Sequence, residues 1–173
     1  MGPPPKGDES PAPDQSGLTH LDAEGKARMV DVTAKAETAR EACARAVLRM
    51  RPETLAAIRA GEVAKGDALG VARIAGIMAA KRTAELIPLC HPLRITGIEV
   101  TFELDEVASA VRIESRVRTV DKTGVEMEAL AAAAVAGLTV YDMVKAIDRA
   151  MVLTDLGLVE KAGGRSGHWV REP

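Results

Sequence analysis

The sequence predicts an α+β fold, one antiparallel sheet with helices packed on one face. Three observations carry this. Residues 94–106 and 110–119 alternate apolar and polar side chains with the two-residue period of a strand, and a tight turn at Val107 to Ala110 separates them. A long alanine-rich run follows them from about Glu126 to Met151, with helix-forming composition. A strand and helices precede this unit and a strand closes it. With the small first helix set aside, the order is βαββαβ, the ferredoxin-like plait.

Residues 1–17, MGPPPKGDESPAPDQSG, hold five of the nine prolines and no large apolar residue after Met1. They read as a disordered, Pro-rich tail before one domain spanning 18–173. "LTHLDAEGKARMVDV" reads as a loop leading into a brief extended segment at Met29–Val32. "TAREACARAVLRM" (38–50) is ambiguous. Its alanines favour helix, but Ala42, Ala44, Ala46, Leu48 and Met50 alternate with Arg45 and Arg49 on the other side, a strand pattern. "PETLAAIRAG" has Pro52 at the start and Gly61 past the end of a short helix. "KGDALGVARIAGIMAAKRTAELI" reads as a turn, then an apolar helix through Val71, Ile74, Ala75 and Met78. Two prolines flank Cys90 and His91 in "IPLCHPL" (87–93). Proline donates no ladder hydrogen bond and pushes its predecessor away from helix, so this stretch is a rigid connector. In the strand pairs, Ile98, Val100, Phe102 and Leu104 face one way, as do Val111, Ile113, Ser115, Val117 and Thr119. "VLTDLGLVEKAGG" supplies the last strand.

The 173 residues suffice for one domain with a real core. Apolar residues make up 47%, yet Phe102, Tyr141 and Trp169 are the only aromatics. The core must be aliphatic and alanine-rich, which favours extra burial by self-association. A formal charge of −2, a pI near 6.0 and so few aromatics argue against nucleic-acid binding. Two cysteines, Cys43 and Cys90, make no disulfide framework. With no signal peptide, myristoylation pattern or long apolar span expected, the sequence implies a cytoplasmic protein, not a membrane one.

Four basic residues sit beside glycines: Lys65 in "KGD", Lys122 in "KTG", and Lys161 and Arg165 in "KAGGRSG". Each alone is ordinary turn composition. Together they suggest an anionic, phosphate-bearing ligand. Asp142 and Lys145, three apart, share a helix face among Tyr141, Met143, Val144 and Ile147. A solvated surface pair is the common meaning of that spacing; apolar surroundings make it a candidate acid or base. Glu128 and Asp142 are fourteen residues apart, about 21 Å along one helix at 1.5 Å per residue. One compact site cannot touch both unless the ligand is long or two subunits contribute. Cys90 and His91 are adjacent, so their side chains diverge, which disfavours both a shared metal and a Cys–His nucleophile. His91 remains a packed histidine, a proton carrier or a phosphate contact.

These segments taken together, "LTHLDAEGKARMVDV", "KGDALGVARIAGIMAAKRTAELIPLCHPL", "VDKTGVEMEAL", "YDMVKAIDRAM" and "EKAGGRSGHW", resemble the cyclic pyranopterin monophosphate synthase family, molybdenum cofactor biosynthesis protein C. The resemblance runs from Leu18 to about Trp169. It implies a ferredoxin-like fold with "TAREACARAVLRM" as strand, and a homohexamer, a trimer of dimers with active sites at the dimer interface. It implies a phosphorus–oxygen lyase that converts 3',8-cyclo-7,8-dihydroguanosine 5'-triphosphate to cyclic pyranopterin monophosphate and pyrophosphate. A radical SAM enzyme would supply that triphosphate from GTP. No resident cofactor or metal is implied, though carboxylates and a triphosphate could share Mg²⁺. By motif position, Lys65, Asp142 and Lys145 become catalytic residues. Leu89, Cys90, His91, Glu126, Met127, Glu128 and Lys161 become substrate-binding residues, with Arg40 and Arg73 as anion contacts. The chain departs from the family at Val144, where cysteine is common, and at Arg165, where lysine is common. A ligand-sensing plait and an RNA-binding plait are the rival readings.

Overall fold

The structure, a computed structural model, describes residues 24–164 and 167–172. The expected tail at 1–17, the domain start at Leu18 and Arg165 lie outside the described residues. The chain divides into two compact units, Met1–Val30 and Asp31–Pro173. In the first, Lys26 pairs with Glu24 at 2.8 Å.

The second unit runs β1 (Thr38–Arg49), α1 (Pro52–Ala60), α2 (Ala68–Lys81), α3 (Thr83–Leu86), β2 (Ile95–Asp105), β3 (Ala110–Asp121), α4 (Glu126–Val144), β4 (Val152–Ala162) and β5 (Trp169–Val170). The sheet order is β2-β3-β1-β4-β5, with every pair antiparallel. The first four strands have the plait topology; β5 adds an edge that composition did not foretell. Residues 29–32 form no strand, and 87–93 form neither helix nor strand.

The ambiguous segment is β1. Ala42, Ala44, Ala46 and Leu48 are at most 1% exposed and face the helices. Opposite them, the Ser115 hydroxyl donates to the Ala129 carbonyl at 2.6 Å, tying β3 to α4. The other sheet face is a lattice of charge. Arg116 meets Glu41 and Glu160, Arg118 meets Glu41, and Arg45 meets Glu114 at 2.7 Å. Beneath it Cys43 is buried, which pushes its thiol up to about 11.

On α2 the small residues Ala72, Gly76, Ala79 and Ala80 pack inward, while Val71, Ile74 and Met78 are 46–59% exposed. A Cβ on Gly76 would lie 2.9 Å from the Ala132 carbonyl and 3.3 Å from the Ala136 Cβ. The two helices therefore cross where only small side chains fit. The helix expected to reach Met151 stops at Val144. Buried Asp148 accepts from the backbone amides of Arg51 and Ala150, both at 2.9 Å, and this capture turns the chain back.

Candidate functional site

The candidate residues gather at the two ends of α4. At its C-terminal end, Asp142 stands between two ammonium groups. Its Oδ2 is 2.7 Å from Lys65 Nζ and its Oδ1 is 2.7 Å from Lys145 Nζ. Lys65 lies on the α1–α2 connector, just before Gly66, whose φ is +93°, and Asp67, which caps α2 by accepting from the Gly70 amide at 2.8 Å. Lys65 also donates to the Asp142 main-chain carbonyl at 2.9 Å. That carbonyl belongs to the last helical turn, which lacks intrahelical donors and carries the negative end of the dipole. The hydrogen bonds from Lys145 and Lys65 hold the Asp142 carboxyl down at about 2. An anion flanked by two mobile proton carriers is the arrangement that general acid–base chemistry needs.

At the N-terminal end, Lys161 of β4 reaches Glu126 Oε1 at 3.1 Å. Gly124 makes room, since a Cβ there would sit 1.9 Å from Glu126 Oε2. Glu128, two residues on, is 4% exposed. Burial raises its carboxyl to about 7, against the pull of its own amide, with Glu126 adding to the rise. Half-buried Cys90 has its thiol raised by burial and then by Glu128, which brings the "IPLCHPL" connector to this end. Leu89 and His91 are half-buried, and His91 acts weakly on Asp31. Met127 turns outward, 36% exposed.

Arg40, named as an anion contact, is anchored on the backbone. Its Nε and Nη2 donate to the carbonyls of Asp121 and Lys122, each at 3.0 Å, and its Nη1 packs against Gly164. It braces the loops after β3 and β4, beside a recess of about 400 Å³ lined by Lys35, Thr38, Arg40 and Gly164. Gly163, at φ +94°, packs so closely on the Ala39 carbonyl that any Cβ would clash. Lys122 donates to the Thr33 carbonyl at 2.9 Å, holding the 31–33 loop. The sequence flagged Lys122 by its glycine but not this partner. Arg73 engages β2: its Nε donates to the Val100 carbonyl at 3.1 Å and its guanidinium lies 5.8 Å from the Phe102 ring centre. A larger recess, about 460 Å³, contains none of the candidate residues. Among the described residues no group of three His, Cys, Asp or Glu side chains is placed to hold a metal.

Glu128 gives a test of this geometry. The folded chain keeps a proton there up to about pH 7, while the ordinary carboxyl loses it near 4.5. Between those values the folded state binds the extra proton, so stability falls as pH rises through the window. Glu128→Gln should therefore exceed the parent in urea stability by roughly 3 kcal/mol above about pH 8 and match it near pH 4. A gap that does not change with pH would contradict the buried, protonated carboxyl.

Comparison with known proteins gives a consistent result. A family model described as the MoaC family matches residues 29–164. The cyclic pyranopterin monophosphate synthase of Heliobacterium modesticaldum is 61% identical over 155 residues, covering 90% of this chain and 98% of that protein. That of Thermomicrobium roseum is 63% identical, covering 90% and 93%. That of Roseiflexus castenholzii is 64% identical over 157 residues, covering 91% and 99%.

Proposed function

The chain belongs to the MoaC family, and on that premise we propose that it works as a cyclic pyranopterin monophosphate synthase in molybdenum cofactor biosynthesis. The observation that carries the reading is the Lys65–Asp142–Lys145 cluster, which fits a reaction that moves protons while a ring opens and another forms. The substrate on this reading is 3',8-cyclo-7,8-dihydroguanosine 5'-triphosphate, made by a radical SAM enzyme. Lys65 and Lys145 exchange protons with the opening purine ring, and Asp142 holds both side chains in place. A ribose-derived hydroxyl then attacks the α-phosphorus. The bond from that phosphorus to the β-phosphate oxygen breaks, and pyrophosphate leaves. Lys161 stabilises the charge that develops there as a point cation, with His91 as a further contact to the triphosphate. Glu126 and Glu128 accept the guanine-edge N–H groups in so far as they are ionised; protonated Glu128 also offers a donor. Any Mg²⁺ would travel with the triphosphate, with Glu126 the available carboxylate.

The two clusters are about 21 Å apart along α4, too far for one chain to close them on one substrate. We place the working site between two copies, each giving the opposite end of its α4, within a hexamer of three such dimers. The exposed stripe Val71, Ile74 and Met78 on α2, with Leu138 on α4, supports association through the helical layer. The free thiols of Cys43 and Cys90 suit a reducing cytoplasm.

The test is turnover of the purified protein on the cyclic triphosphate, with product and pyrophosphate both quantified, beside Lys65→Ala and Lys145→Ala. Stoichiometric product and pyrophosphate, lost in both folded variants, is the expected result. Tight binding without turnover would instead make the chain a sensor of that ligand.

A further inference from the structure

We propose that Trp169 is the stacking wall for the flat bicyclic ring of the substrate, a binding residue of the site that holds Lys161; this rests on the reading above. Strand β5 pairs with β4 so that Trp169 stands opposite Lys161 and Val170 opposite Glu160. Directly opposed residues of an antiparallel pair project from the same face, with Cβ atoms about 4.5–5.5 Å apart. Lys161 reaches Glu126 at the start of α4, so the face it shares with Trp169 is the helix-bearing face. The alternation on either side agrees: His168 reaches Glu160 at 3.0 Å, and Glu160 meets Arg116 within the charged lattice of the other face.

The register of β5 is pinned. The Arg171 amide donates to the Val159 carbonyl at 2.9 Å, and the Arg171 guanidinium fills the space that a side chain at Gly157 would need. Trp169 cannot change faces without breaking these contacts and the His168–Glu160 pair. Its indole nevertheless stays 41% exposed, in a chain with three aromatics. An open indole beside an ammonium and a carboxylate matches a ligand that joins a planar nitrogen heterocycle to phosphate. The ring stacks on the indole, and the ammonium faces the anionic part. An edge tryptophan that only covered β4 would matter for stability and not for the ring.

The chain has one tryptophan, so its fluorescence reports on Trp169 alone. The wild-type protein is titrated with GTP as the ring-bearing probe and with tripolyphosphate as the ring-free control, and affinities are measured by calorimetry. GTP should quench the fluorescence saturably, and tripolyphosphate should not. Trp169→Ala should weaken GTP binding by about tenfold or more, and Trp169→Phe by no more than about threefold, both with unchanged tripolyphosphate affinity. GTP binding by Trp169→Ala at wild-type affinity, with binding lost in Lys161→Ala, would overturn the stacking role alone. GTP affinity unchanged in Lys161→Ala, or absent from the wild type, would overturn the site reading with it. If Trp169→Ala fails to fold by circular dichroism, the wild-type quench and the Phe variant decide, and the absence of a quench overturns the proposal.

Discussion

Asp142→Asn is expected to lower kcat by about 10²–10⁴ and to move Tm by no more than about 2 °C. The carboxylate is half exposed, so little packing is lost. What is lost is the charge between two ammonium groups, each 2.7 Å from one of its oxygens. An asparagine oxygen can accept from one lysine, but its amide nitrogen must then face the other as a donor. Lys65 keeps its bond to the residue 142 carbonyl, so it stays in place while its electrostatic partner is gone. The effect belongs in kcat, because the interaction serves proton transfer more than substrate binding. The folded carboxyl sits at about 2, below its ordinary value of 3.8. Its contribution is therefore complete above the ordinary carboxylate range and fades only as pH falls toward 2. Any acid limb of the rate near neutrality must come from another group. A kcat within about threefold of the parent would remove Asp142 from the chemistry.

Gly76→Leu is expected to cost at least about 3 kcal/mol, a Tm loss of about 6–12 °C or failure to accumulate as folded protein. The first atom added already meets backbone, the Ala132 carbonyl at 2.9 Å, with Val100 and Ala136 at 3.3 Å. Relief requires α2 and α4 to separate, which exposes the run of alanines that forms their interface. Gly137 provides a control within α4. A Cβ there meets only the flexible ends of Leu153 and Ile113, so Gly137→Ala should be milder than Gly76→Ala although its closest contact, 2.5 Å, is shorter. Thermal unfolding of the three variants settles the order. A Gly76→Leu protein as stable as the parent would show that the helices are not in close contact.

The same helix pair explains what the sequence showed and what it hid. Alternation in β1 outweighed the helix preference of its alanines, because those alanines make room for α4. The prolines of "IPLCHPL" marked a connector correctly, since their limits are local. The sequence did not name the buried face of α2: hydrophobicity ranks Val71, Ile74 and Met78 above glycine and alanine, whereas close approach selects the small residues. The end of α4 was misread because apolar spacing continues past Val144, while the capture of Asp148 depends on Arg51, 97 residues away. The site has the same division. Motif resemblance named Lys65, Asp142, Lys145, Glu126 and Lys161 singly. Their pairings span 77 residues for Lys65–Asp142 and 35 for Lys161–Glu126, and those come only from the fold. Arg40 was named by motif position as an anion contact, and its bracing of two loops comes from the fold.

The central claim is that one working site takes the Lys65–Asp142–Lys145 end of α4 from one copy and the Lys161 end from another. It is tested most directly by mixing two inactive proteins, Asp142→Ala and Lys161→Ala, through reversible dissociation and reassembly. In a mixed dimer one site carries both lesions and the other carries none. Random pairing makes half the dimers mixed, so the expected result is recovery to about a quarter of wild-type turnover. A mixture that reassembles fully yet stays as inactive as its two parents would contradict a site shared between copies.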